Sequence, residues 1–137
     1  MSPPEPPSAD GVVSKRSPRS VEATLARLTA IVADRGLTLF AVIDHSGEAA
    51  KAGLAMPDTK LVVFGSPAAG TPVMVAAPLA ALDLPLKILV WTDVAGAVWV
   101  SYHAPGFLAS RYHLTDELRA RLQGVEAISD AVVAPDA

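Results

Sequence analysis

Three short stretches put reactive groups next to turns: Asp44-His45, Gly65-Ser66-Pro67 with Gly70-Thr71, and Tyr102-His103. Asp44 and His45 follow an apolar run and precede a short helical pattern. An imidazole titrates near neutral pH and a carboxylate can orient it, so the pair suits general acid–base work. The same residues also have a structural reading. Asp44 or Ser46 is placed to cap a helix near Glu48, with a side-chain oxygen accepting from a first-turn N–H.

Phe64 to Thr71 sets a strand, a glycine turn and a helix start in succession. That order presents backbone N–H groups and a positive helix end to an anion. Two glycines separated by four residues, followed by Thr71, mimic a phosphate loop. No lysine follows Gly70, so the γ-phosphate of a triphosphate would lack its counter-charge, and nucleotide hydrolysis is disfavoured. A carboxylate, sulfate or small phosphate ester stays open, as does the plainer reading that Gly65 and Gly70 only permit the turn.

Tyr102-His103 closes a later strand. If that end and the end at His45 open to one side, Asp44, His45 and His103 share a cleft, a donor set that suits zinc or ferrous iron. No spacing of the His-x-x-x-His kind supports it, and His113 lies apart, so neither a metal nor a cofactor is expected. Asp83, before Leu84-Pro85, reads as a turn residue. Ser46, Ser66, Ser101 and Ser110 lie in no G-x-S-x-G elbow, which removes support for a serine hydrolase. Lys87 and Arg111 can balance an anionic ligand, or serve as surface charges. There are no cysteines, which excludes disulfides, thiolate metal sites and thiol nucleophiles.

The elements that position these residues follow from apolar spacing. Gly11 to Ser17 reads as a first strand, stopped by Pro18. Ser20 caps a helix whose apolar stripe is Val21, Leu25, Leu28 and Val32, and Gly36 closes it. Leu37 to Ile43, Leu61 to Phe64, Leu86 to Trp91 and Ala97 to Tyr102 read as four more strands. Short helices are expected from Glu48 to Leu54 and from Thr71 or Pro72 to Pro78. Thr92 to Gly96 makes a hairpin loop. Thr115 caps a helix over Asp116 to Gln123, Gly124 breaks it, and Val125 to Val133 adds a further turn or two. Runs of strands with long helices at either end indicate an α+β domain with a mostly antiparallel sheet.

At 137 residues the chain is one domain in length, over 11–137, preceded by a Pro-rich tail at 1–10 that reads as disordered. The tail has no basic start or apolar stretch of the secretory kind, so a cytoplasmic location is expected. Hydrophobic residues make up 51% and mean hydropathy is +0.38, yet Pro72, Pro78, Asp83, Pro85 and Lys87 interrupt every apolar stretch short of a membrane span. The net charge of −3 and the single basic cluster Lys15, Arg16 and Arg19, read as a solvated strand end, argue against nucleic acid.

FAVIDHSGEAAKAGL, LVVFGSPAAGTPVM and LDLPLKILVW together resemble the bacterial "domain of unknown function" family numbered 302, over Val12 to Ala134. The resemblance implies a two-layer α+β fold similar in shape to the TATA-binding-protein fold, and no activity. The Asp-His pair falls within the family's pattern. The family often has asparagine between this glycine and proline; Ser66 stands there, so no side-chain amide role carries over.

Phe40, Val42, Leu89, Trp91, Val98 and Val100 give the strands apolar side chains at both parities. A two-layer domain ordinarily has one polar sheet face, so a second copy is expected on the other face or its edge, making a homodimer. The leading functional expectation is a small binding protein. Its polar or anionic ligand would lie where Asp44, His45, Gly65, Ser66, Pro67, Thr71, Tyr102 and His103 gather. An enzyme using His45 or His103 as base or metal ligand is the alternative, and a protein-interaction module is the third reading.

Overall fold

Ser20 sits in extended backbone and its hydroxyl accepts from Ala23 N at 3.1 Å, which starts helix α1 (Val21–Asp34). Val21, Thr24, Leu28 and Val32 are buried along one stripe of it. Gly36, at φ +69, then turns the chain into the sheet. The computed structural model describes residues 8–136, so most of the expected tail lies outside the described residues. The remaining elements are β1 (Val12–Ser17), β2 (Thr38–Asp44), α2 (His45–Lys51), β3 (Thr59–Gly65), α3 (Pro67–Ala76), β4 (Leu86–Thr92), β5 (Val98–His103), α4 (Pro105–Arg111), α5 (Asp116–Ala120) and α6 (Gly124–Val133). A 3-10 turn over Pro78–Leu82 leads from α3 to β4.

The five strands form one sheet in the order β1-β5-β4-β3-β2, every neighbour antiparallel. This is the α+β, two-layer arrangement expected. Residues directly opposite each other share a face, and the register divides the apolar residues cleanly. Val62, Phe64, Ile88, Val90, Val100 and Tyr102 meet α1 and α6 in the main core. A smaller core of Val73, Ala80, Leu108 and Leu122 joins α3, α4 and the α5–α6 turn.

The basic cluster is not a solvated strand end. Lys15 Nζ donates to Ser129 Oγ at 2.7 Å and Asp130 Oδ1 at 2.8 Å, tying β1 to α6. Arg19 donates to the carbonyls of Val132 and Ala134, and Arg27 to that of Ala131, where α6 leaves carbonyls without helical partners.

Two helices begin earlier than their sequence suggests. Asp44 caps α2 through Gly47 N, so the helix starts at His45 rather than Glu48. Ser66 caps α3 through Ala69 N, and Pro67 is suited to a first helical position, so the helix starts there and carries Pro72 inside it. Gly70 is therefore a helix residue, and neither it nor Gly65 has positive φ. Gly124 opens α6, and α4 is a short helix ahead of the one capped by Thr115.

Candidate functional site

In an antiparallel pair, the loops that follow successive strands lie at opposite ends of the sheet. Thr38 is opposite Gly65 and Asp44 is opposite Lys60. Asp44-His45 is thus separated from Gly65-Ser66 by the seven residues of β2, roughly 20 Å at about 3.3 Å per residue. Leu89 pairs with Ser101 and Thr92 with Val98, which puts His103 at the Gly65 end. The expected meeting of all three loops at one rim is corrected by this register. The zinc or iron set of Asp44, His45 and His103 does not assemble for the same reason. Among the described residues no group of three or more His, Asp or Glu is placed to hold a metal ion.

At the Gly65 end lies a cavity of about 330 Å³. Gly65, Ser66, Pro67 and Thr71 line it, four of the residues that sequence singled out. Its other walls are largely apolar: Phe40, Met74, Leu84, Pro85, Leu86 and Leu122. The Leu84–Pro85 peptide in this wall is cis. Arg121 is the single charged side chain on the lining, and it makes no ion pair among the described residues.

The helix start contributes less than the glycine turn suggested. Pro67 has no N–H, and Ala69 N is bonded by Ser66 Oγ at 3.3 Å and Ser66 O at 3.0 Å. Positive charge for a ligand therefore comes from Arg121. Sequence gave no signal for that residue, because only packing of the α5–α6 turn brings it beside β3 and α3. Phe40 is carried to the rim by a register shift between Leu39 and Ala41.

The other four candidates have separate surroundings. Lys60 Nζ donates to Asp44 Oδ1 at 2.8 Å, and with Gly47 N and the Ser46 hydroxyl it lowers the Asp44 pKa to about 2. A carboxylate held that firmly ionised is a cap and ion-pair partner, not a proton acceptor poised for neutral pH. His45 is exposed as the first residue of α2. Tyr102 is buried in the main core and its hydroxyl donates to Glu126 Oε2. Burial first, then that carboxylate, raises its pKa. His103 lines a second, smaller cleft with Asp83 and Lys87.

Comparison with known proteins agrees with this architecture. The family model described as "Domain of unknown function DUF302" matches residues 13–130. A crystal structure of an uncharacterized conserved protein DUF302 from Bacillus stearothermophilus superposes with a TM-score of 0.75 at 16% identity, covering 91% of this chain and 97% of that one. At that identity the likeness shows the fold. Proteins named fluoride-specific ion channel FluC 1 from Brucella suis and Brucella abortus are 38% identical over 104 residues, 76% of this chain. The chain spans only 41% and 38% of the length of those two relatives.

Proposed function

Because the chain belongs to the DUF302 family, whose description assigns no chemistry, we propose a function from the cavity itself: binding of a small amphipathic anion. One observation carries this reading. A cavity of about 330 Å³, walled by Phe40, Met74, Leu84, Pro85, Leu86 and Leu122, has Arg121 as its one charge among the described residues. That volume lies at the lower end of small-molecule sites, and an apolar wall with few convergent polar groups is their usual composition. The Ser66 and Thr71 hydroxyls add orientation. A nucleotide, with several charges and a polar sugar, finds too few partners here. A compact carboxylate with an apolar body matches both parts of the lining.

The test is a titration with aromatic and medium-chain carboxylates followed by amide NMR. Resonances of Gly65, Thr71, Met74 and Arg121 should shift together. Arg121→Ala should weaken binding by about tenfold or more, as loss of a charge-assisted hydrogen bond does. If no carboxylate moves these signals, or Arg121→Ala binds as well, the reading is wrong. The histidine-based enzyme reading is less well supported, since neither His45 nor His103 lines this cavity.

The name of the Brucella relatives points to fluoride transport. A channel needs segments that satisfy their backbone within the bilayer, and no helix among the described residues is long and apolar enough to cross a membrane. The shared portion is read instead as a ligand-binding unit that accompanies a channel in those proteins.

A second copy is the partner we assign to the open edge of β2. Leu39, Phe40, Val42 and Ile43 are 45%, 49%, 41% and 39% exposed, and no Pro, Lys or Arg guards Thr38–Ile43. An edge of that kind offers unpaired backbone groups to another strand, and antiparallel pairing of β2 with itself satisfies both copies equally. Light scattering should give a dimer mass that Val42→Lys reduces to a monomer. A monomeric wild-type protein at micromolar concentration defeats the assignment.

A further inference from the structure

The chain has four lysines, and three of them sit against carboxylates. Lys15 pairs with Asp130 at 2.8 Å, Lys51 with Glu48 at 3.1 Å, and Lys60 with Asp44 at 2.8 Å. Lys87 has no carboxylate within ion-pair distance among the described residues. Its Nζ donates to the Pro85 carbonyl at 2.9 Å, which uses one of an ammonium's three donors.

Lys87 lines a cleft of about 80 Å³ with Asp83, His103, Leu82, Leu86, Leu108 and Val125. Asp83 is already committed, because the Tyr112 hydroxyl donates to it and Arg111 Nε lies 3.8 Å away. The His103 ring stacks on Phe107 at a centroid distance of 6.1 Å and an interplanar angle of 17°, which fixes its plane. We infer that the cleft between Lys87 and His103 is a binding site for a small oxyanion, of phosphate or carboxylate size.

The magnitudes favour this class of ligand. A cleft of about 80 Å³ has room for an oxyanion of phosphate or carboxylate size. Leucine and valine walls lower the local dielectric, which strengthens attraction between an ammonium and an anion. Burial pushes the Lys87 pKa down, only partly opposed by the Asp83 charge; an anion beside Nζ offsets that cost. His103 adds an N–H donor in either protonation state. The cleft shares only Leu86 with the larger cavity, so the site stands or falls independently of the amphipathic ligand.

The test uses the whole chain and two probes, inorganic phosphate and acetate, with the His103 imidazole and Lys87 amide followed by NMR. Saturable shifts of both resonances at millimolar probe are expected. Lys87→Met should weaken binding by about tenfold or more, and His103→Gln by about threefold. Tighter phosphate or tighter acetate identifies the preferred oxyanion, and either supports the site. No saturable shift with either probe overturns it, as does undiminished binding in a folded Lys87→Met protein. Should Lys87→Met fail to fold, His103→Gln decides alone: unchanged affinity counts against the site.

Discussion

Trp91 and Trp99 stand directly opposite each other across the β4/β5 ladder, and their indole N–H groups leave in different directions. Trp91 Nε1 donates to Ser101 Oγ, and Trp99 Nε1 to Asp93 Oδ2, each at 2.9 Å. Arg16 lies over the Trp99 ring at 5.8 Å, a cation–π contact from the neighbouring strand. Ser14 and Ser101 bond each other at 2.7 Å alongside. The β1–β5–β4 half of the helix-free face is therefore closed by its own side chains. The β2–β3 half, with Ile43, Leu61 and Val63, is where apolar surface reaches solvent.

Asp93 is the hinge of that closure, and its titration should show it. Its carboxyl is held below the ordinary aspartate range, first by the Trp99 N–H, then by the amides of Ala97 and Ala95. A lowered folded pKa means the contribution is present above the unfolded value and is lost as pH falls through the folded one. Tryptophan emission should stay constant through the normal aspartate range and change only at lower pH. Asp93→Asn should remove that step and lower the melting temperature at pH 7. An emission change centred on an ordinary aspartate pKa contradicts the contact.

Asp44 gives a second pH signature, at the end of edge strand β2. Its pKa of about 2, set mainly by Lys60, means that its stabilising contribution is fully present above the ordinary aspartate value of 3.8 and is lost as pH falls toward 2. Melting temperature should fall between about pH 4 and pH 2 as this group protonates. Asp44→Ala should melt lower at pH 7 and lose less than wild type across that window. Equal slopes in the two proteins would mean that Lys60 and the α2 cap contribute nothing to stability.

Much of this fold was legible because apolar spacing carries it. The stripe Val21, Leu28, Val32 announces α1, and short apolar runs such as Leu37 to Ile43 and Leu86 to Trp91, bounded by turns, announce the sheet. The site was only half legible. Gly65, Ser66, Pro67 and Thr71 are consecutive or nearly so, and local chemistry marks them. Arg121 and Leu86 join them through packing that no local pattern records. Asp44-His45 misled because a turn after a strand looks the same at either end of a sheet, and only the pairing register tells the ends apart. In sequence the helix-free face reads as wholly apolar, because Ser14, Arg16 and Asp93, which cover the tryptophans, come from β1 and a loop that only the fold brings beside them.

Phe64 tests the main core. It is completely buried, between β3 and the helix layer. Phe64→Ala should cost about 3–5 kcal/mol, the usual range for truncating a buried aromatic, measured by urea unfolding. A loss under about 1 kcal/mol would place it in a site able to collapse, contrary to the packing described.

Glycines 36 and 70 should respond in opposite directions to the same substitution. A Cβ at Gly36 meets nothing within 4 Å, so space is no obstacle, but φ is +69. An L side chain in that left-handed region costs about 1–2 kcal/mol. Gly70 lies inside α3 without positive φ, and a Cβ there meets only the Met74 Cε, at 3.9 Å. Replacing it removes the excess backbone freedom of glycine in the unfolded chain, a gain of roughly 0.5–1 kcal/mol. Gly36→Ala should thus unfold at lower urea concentration than wild type and Gly70→Ala at higher. The added methyl at Gly70 also narrows the cavity beside Met74, so Gly70→Ala should bind the amphipathic carboxylates more weakly while being the more stable protein. A Gly70→Ala protein that is destabilised would mean the turn after β3 needs glycine for its backbone, and that α3 does not begin at Pro67.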